Sequence, residues 1–154
     1  MDFILVREND FVKARNAIGK NRGKKIVFSS DDDELNRKIL EKLGESLPID
    51  CLLINQNRRK DGQKQRDSGF NHVMAKFAKK NSVCIGINLD EIMENRGKDK
   101  SRILARIQQN IKLCNKNKLK MKFINLKREN EKNIYDLKSL GLVLGMPTWM
   151  TGEL

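Results

Sequence analysis

Between positions 56 and 72 the chain gathers the side chains most able to hold an anion. Arg58, Arg59, Lys60, Lys64 and Arg66 stand against a single Asp61 in residues 56 to 66. The run Arg66-Asp67-Ser68-Gly69-Phe70-Asn71-His72-Val73-Met74-Ala75-Lys76 then opens an amphipathic helix. A helix N-terminus presents free backbone N–H groups and the positive end of the dipole, so a basic loop feeding one is a seat for phosphate. RNA or DNA is therefore the first partner to consider.

Chemistry carried by the chain itself finds little support. His72 is the only histidine, so a multi-histidine metal centre is impossible, and no Ser-His-Asp or Cys-His arrangement has an obvious nucleophile. Neither G-x-x-x-x-G-K-[ST] nor G-x-G-x-x-G occurs. Asp50, Asp61, Asp67 and Asp90 could serve a Mg²⁺-dependent nuclease only if the fold brought them together, and Asp50 and Asp67 have ready structural roles at element starts. His72 reads as a surface residue at the start of a helix.

The whole composition leans the same way, with 32 Lys and Arg against 20 Asp and Glu, a formal charge of +12 and a pI near 9.8. That balance favours a polyanion. Aromatic residues make up only 5% of the chain, which argues against recognition by rows of stacked bases and for contacts to phosphate and helical shape. Cys51, Cys84 and Cys114 each sit in an apolar segment and read as reduced core residues rather than ligands or a disulfide framework. No apolar run reaches the 18 residues or so of a membrane span, and the first residues, with Asp2 and Arg7 around a short apolar run, do not resemble a signal peptide. A cytoplasmic protein with no membrane partner is expected.

Stepping along the chain, short apolar runs alternate with helical periodicity. Strands are predicted at residues 3–6, 25–28, 51–54, 83–87 and 121–124, mostly apolar on both faces as parallel strands are. Helices are predicted at about 10–20, 33–43, 68–80, 98–117 and 133–144. Such repetition implies an α/β fold with a parallel sheet, and with no Gly/Ser-rich or Pro-rich linker the whole of 1–154 reads as one domain. In the second helix Asp31, Asp32 and Asp33 supply the N-cap, Leu35, Ile39 and Leu43 line one face, and Gly44 with Pro48 ends it. The acidic triplet could alternatively serve a receiver-like regulatory module, but Asn55 and Gln56 stand where such a site would want another carboxylate. In the helix starting near Ser68, Phe70, Val73, Met74 and Phe77 point inward and His72, Lys76, Lys79 and Lys80 outward, with Asp67 or Ser68 as cap. In the fourth helix Ile103, Leu104, Ile107, Ile111 and Cys114 share one arc. Arg102, Arg106, Gln109, Lys112 and Lys116 share the other, an acid-free stripe able to track a phosphate backbone. Residues 56–66 and 94–100 are the longest irregular polar stretches, both after strands, where α/β folds carry functional loops.

The segment from Arg66 to Ala78, followed by Val83-Cys84-Ile85-Gly86-Ile87-Asn88, resembles the archaeal and eukaryotic ribonuclease P protein component 3 family. Colinear blocks flank it: Glu34-Leu35-Asn36-Arg37-Lys38-Ile39-Leu40-Glu41, Ile49-Asp50-Cys51-Leu52-Leu53, Gln109-Asn110-Ile111-Lys112-Leu113-Cys114, and Ile134-Tyr135-Asp136-Leu137-Lys138-Ser139-Leu140 on to Leu144-Gly145-Met146. The likeness covers about residues 24 to 146. It implies a TIM-barrel-like fold related to metal-dependent hydrolases but without their metal chemistry. The implied role is that of a non-catalytic subunit of the ribonucleoprotein endonuclease that matures the 5′ end of precursor tRNA. There the RNA subunit catalyses the hydrolysis, Mg²⁺ acts through the RNA with no cofactor bound by this chain, and a second small protein subunit is the partner. Asn36 and Arg37 match the family's Asn-Arg pair, and Arg66, Asp67, Ser68, Gly69 and His72 match its Asp-Ser-Gly helix start, as RNA-contacting or loop-shaping positions. With the basic loop, Lys76 and the stripe, the expected RNA-binding set is Asn36, Arg37, Arg58, Arg59, Lys60, Lys64, Arg66, Ser68, His72, Lys76, Arg102, Arg106 and Lys112. The chain departs from the family in offering about five to six βα units where a barrel has eight, and its run from 56 to 65 is longer and more basic. The rival expectation is a Mg²⁺-dependent nuclease or phosphatase on the same barrel.

Overall fold

The computed structural model describes residues 2–42 and 48–154. Five strands, β1 (Ile4–Arg7), β2 (Ile26–Ser29), β3 (Cys51–Ile54), β4 (Cys84–Asn88) and β5 (Met121–Ile124), form one all-parallel sheet in the order 1-2-3-4-5. Stepping always to the next neighbour is the winding of a βα barrel, since a doubly wound sheet reverses direction at a switch point. The described chain is thus an open, TIM-barrel-like array of five βα units.

Helices follow each strand: α1 (Phe11–Lys20), α2 (Asp33–Lys42), α3 (His72–Lys80), α4 (Leu89–Glu94), α5 (Gly97–Lys116), α6 (Ile134–Leu144) and α7 (Thr148–Thr151), with a 3₁₀ turn at Arg128–Asn130. Alternate strand residues Ile26, Phe28, Leu52, Ile54, Ile85, Ile87 and Met121 pack with Ile39, Leu40, Met74, Ile103, Ile107 and Ile111 in the main core. Their neighbours Val27, Cys51, Leu53 and Ile124 pack on the other face with Phe3, Leu5, Cys84 and Leu126. Both faces are apolar, which explains why the strands read as continuous apolar runs.

Several local expectations change. α3 starts at His72 rather than near 68, because Asn71 is its N-cap and accepts the Met74 N–H at 2.9 Å. Asp67 and Ser68 do not cap it. Val73 points to solvent, whereas Phe70 and Met74 are buried. Residues 94–100 are not a loop: α4 ends at Glu94 and α5 begins at Gly97. Of the acidic triplet only Asp32 caps α2, accepting from Glu34 N and Leu35 N, while Asp31 pairs with Arg7 and Asp33 with Arg59. Leu35 and Ile39 are buried as expected, but the roles assigned to Leu43 and Gly44 lie outside the described residues.

Candidate nucleic-acid interface

The segment between β3 and α3 leaves the sheet at the C-terminal end of the strands and is tied down at three places. Glu91 of α4 accepts from the Gln56 and Asn57 N–H groups at 2.7 and 3.3 Å. Burial pushes the Glu91 carboxyl up, against the pull of those two backbone bonds. Next, Arg106 of α5 spreads its guanidinium over the loop, with Nε on Asp61 at 3.1 Å, Nη1 on the Gln56 carbonyl at 2.9 Å and Nη2 on the Arg59 carbonyl at 2.8 Å. Finally, the Ser68 carbonyl accepts from both Gln56 Nε2 and Asn110 Nδ2. A polar knot buried under the loop thus replaces the apolar contacts that a Lys/Arg-rich segment cannot make.

Arg58 and Arg59 diverge at the start of this loop. Arg58 has φ +62, in the left-handed region uncommon for a non-glycine residue, and lies exposed. Arg59 turns back as a strut: Nη1 and Nη2 grip Asp33 at 2.7 and 2.9 Å, and Nε donates to the Asn55 carbonyl at 2.6 Å. Burial opposes its charge, but the fork onto Asp33 outweighs this and raises its pKa. The strut separates two openings. A cavity of about 620 Å³ is lined by Arg37, Lys64, Arg66, His72 and Gln109 among others, and one of about 710 Å³ by Arg7, Arg58, Lys60, Asn55, Asn88 and Glu91 among others. Asp33 and Asp67 line both.

Gly69 sits where the strut passes. Its φ is +70, and a Cβ there would overlap Arg59 Nη2 and lie 2.6 Å from Cζ. Gly69→Ala should therefore cost about 2 kcal/mol, from left-handed strain plus disruption of the Arg59–Asp33 pair. A urea unfolding series checks this, and an unchanged midpoint would mean the strut yields freely.

The thirteen expected RNA-binding residues divide by exposure. Arg58, Lys60, Lys64, Arg66, His72 and Lys76 are exposed on the loop and α3, and Arg102 and Lys112 on α5. Among the described residues no ion pair involves Arg58, Lys60, Lys64 or Arg66, so their cationic heads are free. The first-turn N–H groups of α3 at His72 and Val73 have no partner within the helix, and His72 lines the same opening as Lys64 and Arg66.

Five of the set are structural. Asn36 is 0% exposed and donates to the Ser30 carbonyl, and Ser68 is 2% exposed and donates to Phe70, so neither side chain reaches a ligand. Arg106, 3% exposed, is the loop's anchor and not part of a phosphate stripe. Arg59 is the strut. Arg37 is half-buried between Glu34 and Glu41, which hold its guanidinium firmly charged. The stripe on α5 shrinks to Arg102, Lys112 and Lys116, since Gln109 turns toward Ser68, and Asp99 lies 3.9 Å from Arg102, so it is not acid-free. Sequence reasoning missed Glu91, Gln56 and Asn110. Asn110 stands four residues after Arg106, and that polar pair beside the apolar arc was the available signal.

Asp50, Asp61, Asp67 and Asp90 each accept from backbone N–H groups. Among the described residues no group of three or more His, Cys, Asp or Glu side chains could hold a metal ion. Asp50 accepts from Ile26 N, Asp90 from Leu126 N, and Asp61 from Asp67 N and Arg106. At the strand ends Glu91 is committed to backbone N–H groups and shares its cavity with Arg7, Arg58, Arg59 and Lys60. That donor set does not fit a resident divalent cation.

Asp61 also sets the loop's response to acid. The bond from Asp67 N and the Arg106 guanidinium hold its carboxyl below the usual range. A depressed folded pKa adds stability that is complete above the unfolded value of about 3.9 and is lost as pH falls through the folded one. Hydrogen exchange of residues 56–68 should accordingly stay slow down to about pH 4 and quicken below it. Asp61→Asn should make exchange fast already at pH 7, and a loop equally protected at pH 3 would contradict this.

No family model matches the chain. Curated relatives do, among them archaeal proteins named Ribonuclease P protein component 3. The protein of Methanococcus vannielii is 32% identical over 97 residues, 63% of this chain and 38% of that protein. That of Methanosarcina acetivorans is 32% identical over 114 residues, 73% and 43%, and that of Methanothermobacter thermautotrophicus 26% identical over 144 residues, 93% and 54%. The chain thus spans about two fifths to about half the length of these relatives. A chain in a cryo-EM structure of archaeal Ribonuclease P with mature tRNA shares the fold, with TM-score 0.75 and 23% identity over 96% of this chain and 62% of that one. Matched by archaeal proteins of that name and sharing its fold with a chain of an archaeal ribonuclease P structure, the chain is similar to the ribonuclease P protein component 3 family.

Proposed function

We propose that the chain is a non-catalytic, RNA-binding protein subunit of ribonuclease P that supports RNA-catalysed 5′ maturation of precursor tRNA in the cytoplasm. The observation that carries this reading is the anchored basic loop: Arg58, Lys60, Lys64 and Arg66 are free cations, held in place by a buried polar knot and set beside the open N-terminus of α3. Such a surface neutralises phosphates, and the relatives' shared name supports ribonuclease P RNA, with its precursor tRNA, as the polyanion. Under this reading Mg²⁺ belongs to the RNA and the chain holds no cofactor of its own.

A second small protein subunit completes the reading. Ile134, Tyr135, Leu142 and Val143 are exposed on α6, Tyr135 to 77% and Val143 to 79%. One exposed apolar residue is ordinary, but four on one short helix suit a protein contact.

Reconstitution tests the proposal. Added to ribonuclease P RNA and the other subunits at limiting Mg²⁺, the chain should raise precursor tRNA processing, and alone it should cleave nothing. Metal-dependent cleavage by the chain alone would overturn the reading in favour of a nuclease, as would holoenzyme activity indifferent to its addition.

A further inference from the structure

On the sheet face turned away from the helices, Cys51 opens β3 and Cys84 opens β4, and the two are register partners. Side chains of register partners project to the same face, and neighbouring strands stand about 4.8 Å apart, inside the span that a disulfide bridges. Their Sγ atoms are 2.8 Å apart. Gly86 leaves them room: a Cβ at that position would sit 3.2 Å from Cys51 Sγ.

The surroundings distinguish the two sulfurs. Cys84 is half-buried and reaches solvent, while Cys51 and Cys114 are buried. Lys122 and Lys120 of the β5 segment favour the Cys84 thiolate, and Asp50 opposes it. The hydrogen bond between the thiols, and after it Lys122, hold Cys84 below the ordinary thiol range against its burial, whereas Cys51 is pushed up. An accessible, thiolate-prone cysteine beside a second thiol is the arrangement of an attacking and a resolving pair.

We propose that Cys51 and Cys84 form an oxidisable dithiol, closed to a disulfide by hydroperoxides and reopened by thiols. The Cys84 thiolate attacks one peroxide oxygen, and the O–O bond breaks. The sulfur, now oxidised, carries the hydroxyl as sulfenic acid, and the other oxygen leaves as hydroxide and is protonated to water. Cys51 then attacks the Cys84 sulfur, the S–S bond forms, the S–O bond breaks, and the departing hydroxide takes the Cys51 proton as a second water. Two thiols and one hydrogen peroxide become one disulfide and two waters. The bond joins the first residues of β3 and β4, so the basic loop and α3 lie inside the covalent ring it closes.

The test treats the purified full chain with equimolar hydrogen peroxide, alkylates the remaining thiols under denaturing conditions, and reads intact mass and peptide map. The expected product is a monomer lighter by two hydrogens, with a Cys51–Cys84 linked peptide pair, alkylated Cys114, and full reversal by dithiothreitol. In Cys51→Ser, dimedone should trap a sulfenic acid on Cys84, and in Cys84→Ser the loss of thiol should slow by at least about tenfold. Linkage through Cys114, disulfide dimers, direct passage to sulfinic acid, or no reaction would each overturn the proposal.

Discussion

Arg106→Ala should be among the most damaging single substitutions in the chain, lowering stability by about 3 kcal/mol although it removes an arginine from a protein with a large excess of them. Its three donors satisfy the Gln56 carbonyl, the Arg59 carbonyl and the Asp61 carboxylate at once, in a setting where its side chain is 4% exposed. Truncation leaves two carbonyls and a carboxylate without their donor beneath the loop, and Asn110 and Gln56, whose side-chain oxygens already lack partners among the described residues, cannot replace it. Lysine should not rescue, because a single ammonium cannot reproduce a planar fork aimed at three acceptors. Arg102→Ala, on the exposed side of the same helix, is the control and should cost under about 0.5 kcal/mol. Urea midpoints with hydrogen exchange over 56–68 would decide, and equal midpoints for the two variants would contradict the role assigned to Arg106.

That contrast shows where the sequence was legible. All five strands were visible because both sheet faces are apolar, so each strand is a short continuous run between polar segments; β-then-α repetition implied a parallel sheet, while the barrel order 1-2-3-4-5 was implied only by the resemblance to a known family. The start of α3 was not, since Asp67, Ser68 and Asn71 are all capping residues and only the tertiary fold commits the first two to the loop, where Asp67 accepts from Gly69 N and Ser68 is buried by Asn110 and Gln56. Arg106 and Arg59 were misplaced for a single reason. A cation in a basic loop or beside an apolar arc reads as open to phosphate unless its acceptors are known, and Asp33 lies 26 residues from Arg59 and the Gln56 carbonyl 50 from Arg106. Asn36, expected beside Arg37 to contact RNA or shape a loop, donates to the Ser30 carbonyl just after β2, which fits the second of those roles. The relation to a known family indicated which segments matter, and the hydrogen bonds then separate the residues that build the surface from those that present it.

RNA affinity should follow the presenting residues alone. Arg58, Lys60, Lys64 and Arg66 are exposed and free of ion pairs, so replacing all four by Ala should leave the unfolding free energy from urea titration within about 0.5 kcal/mol of the parent. The same change removes up to four phosphate contacts. Each contact contributes about 0.7 to 0.9 to the slope of log K against log salt, so the slope should shrink by about 3 and affinity at low salt should fall steeply and alike for many RNA sequences. Replacing Arg102 and Lys112 should reduce the slope by about 1 to 2 if the α5 stripe meets the same RNA, and by nothing if that face is only solvated. Arg59→Ala should behave differently from its neighbours, losing stability first because Asp33 is left without its fork, with affinity falling only as the loop loosens. Filter binding of ribonuclease P RNA from low to moderate salt, run beside the unfolding series, separates the two classes. An unchanged slope in the fourfold variant, with the fold intact, would mean that the basic loop is not where the RNA sits.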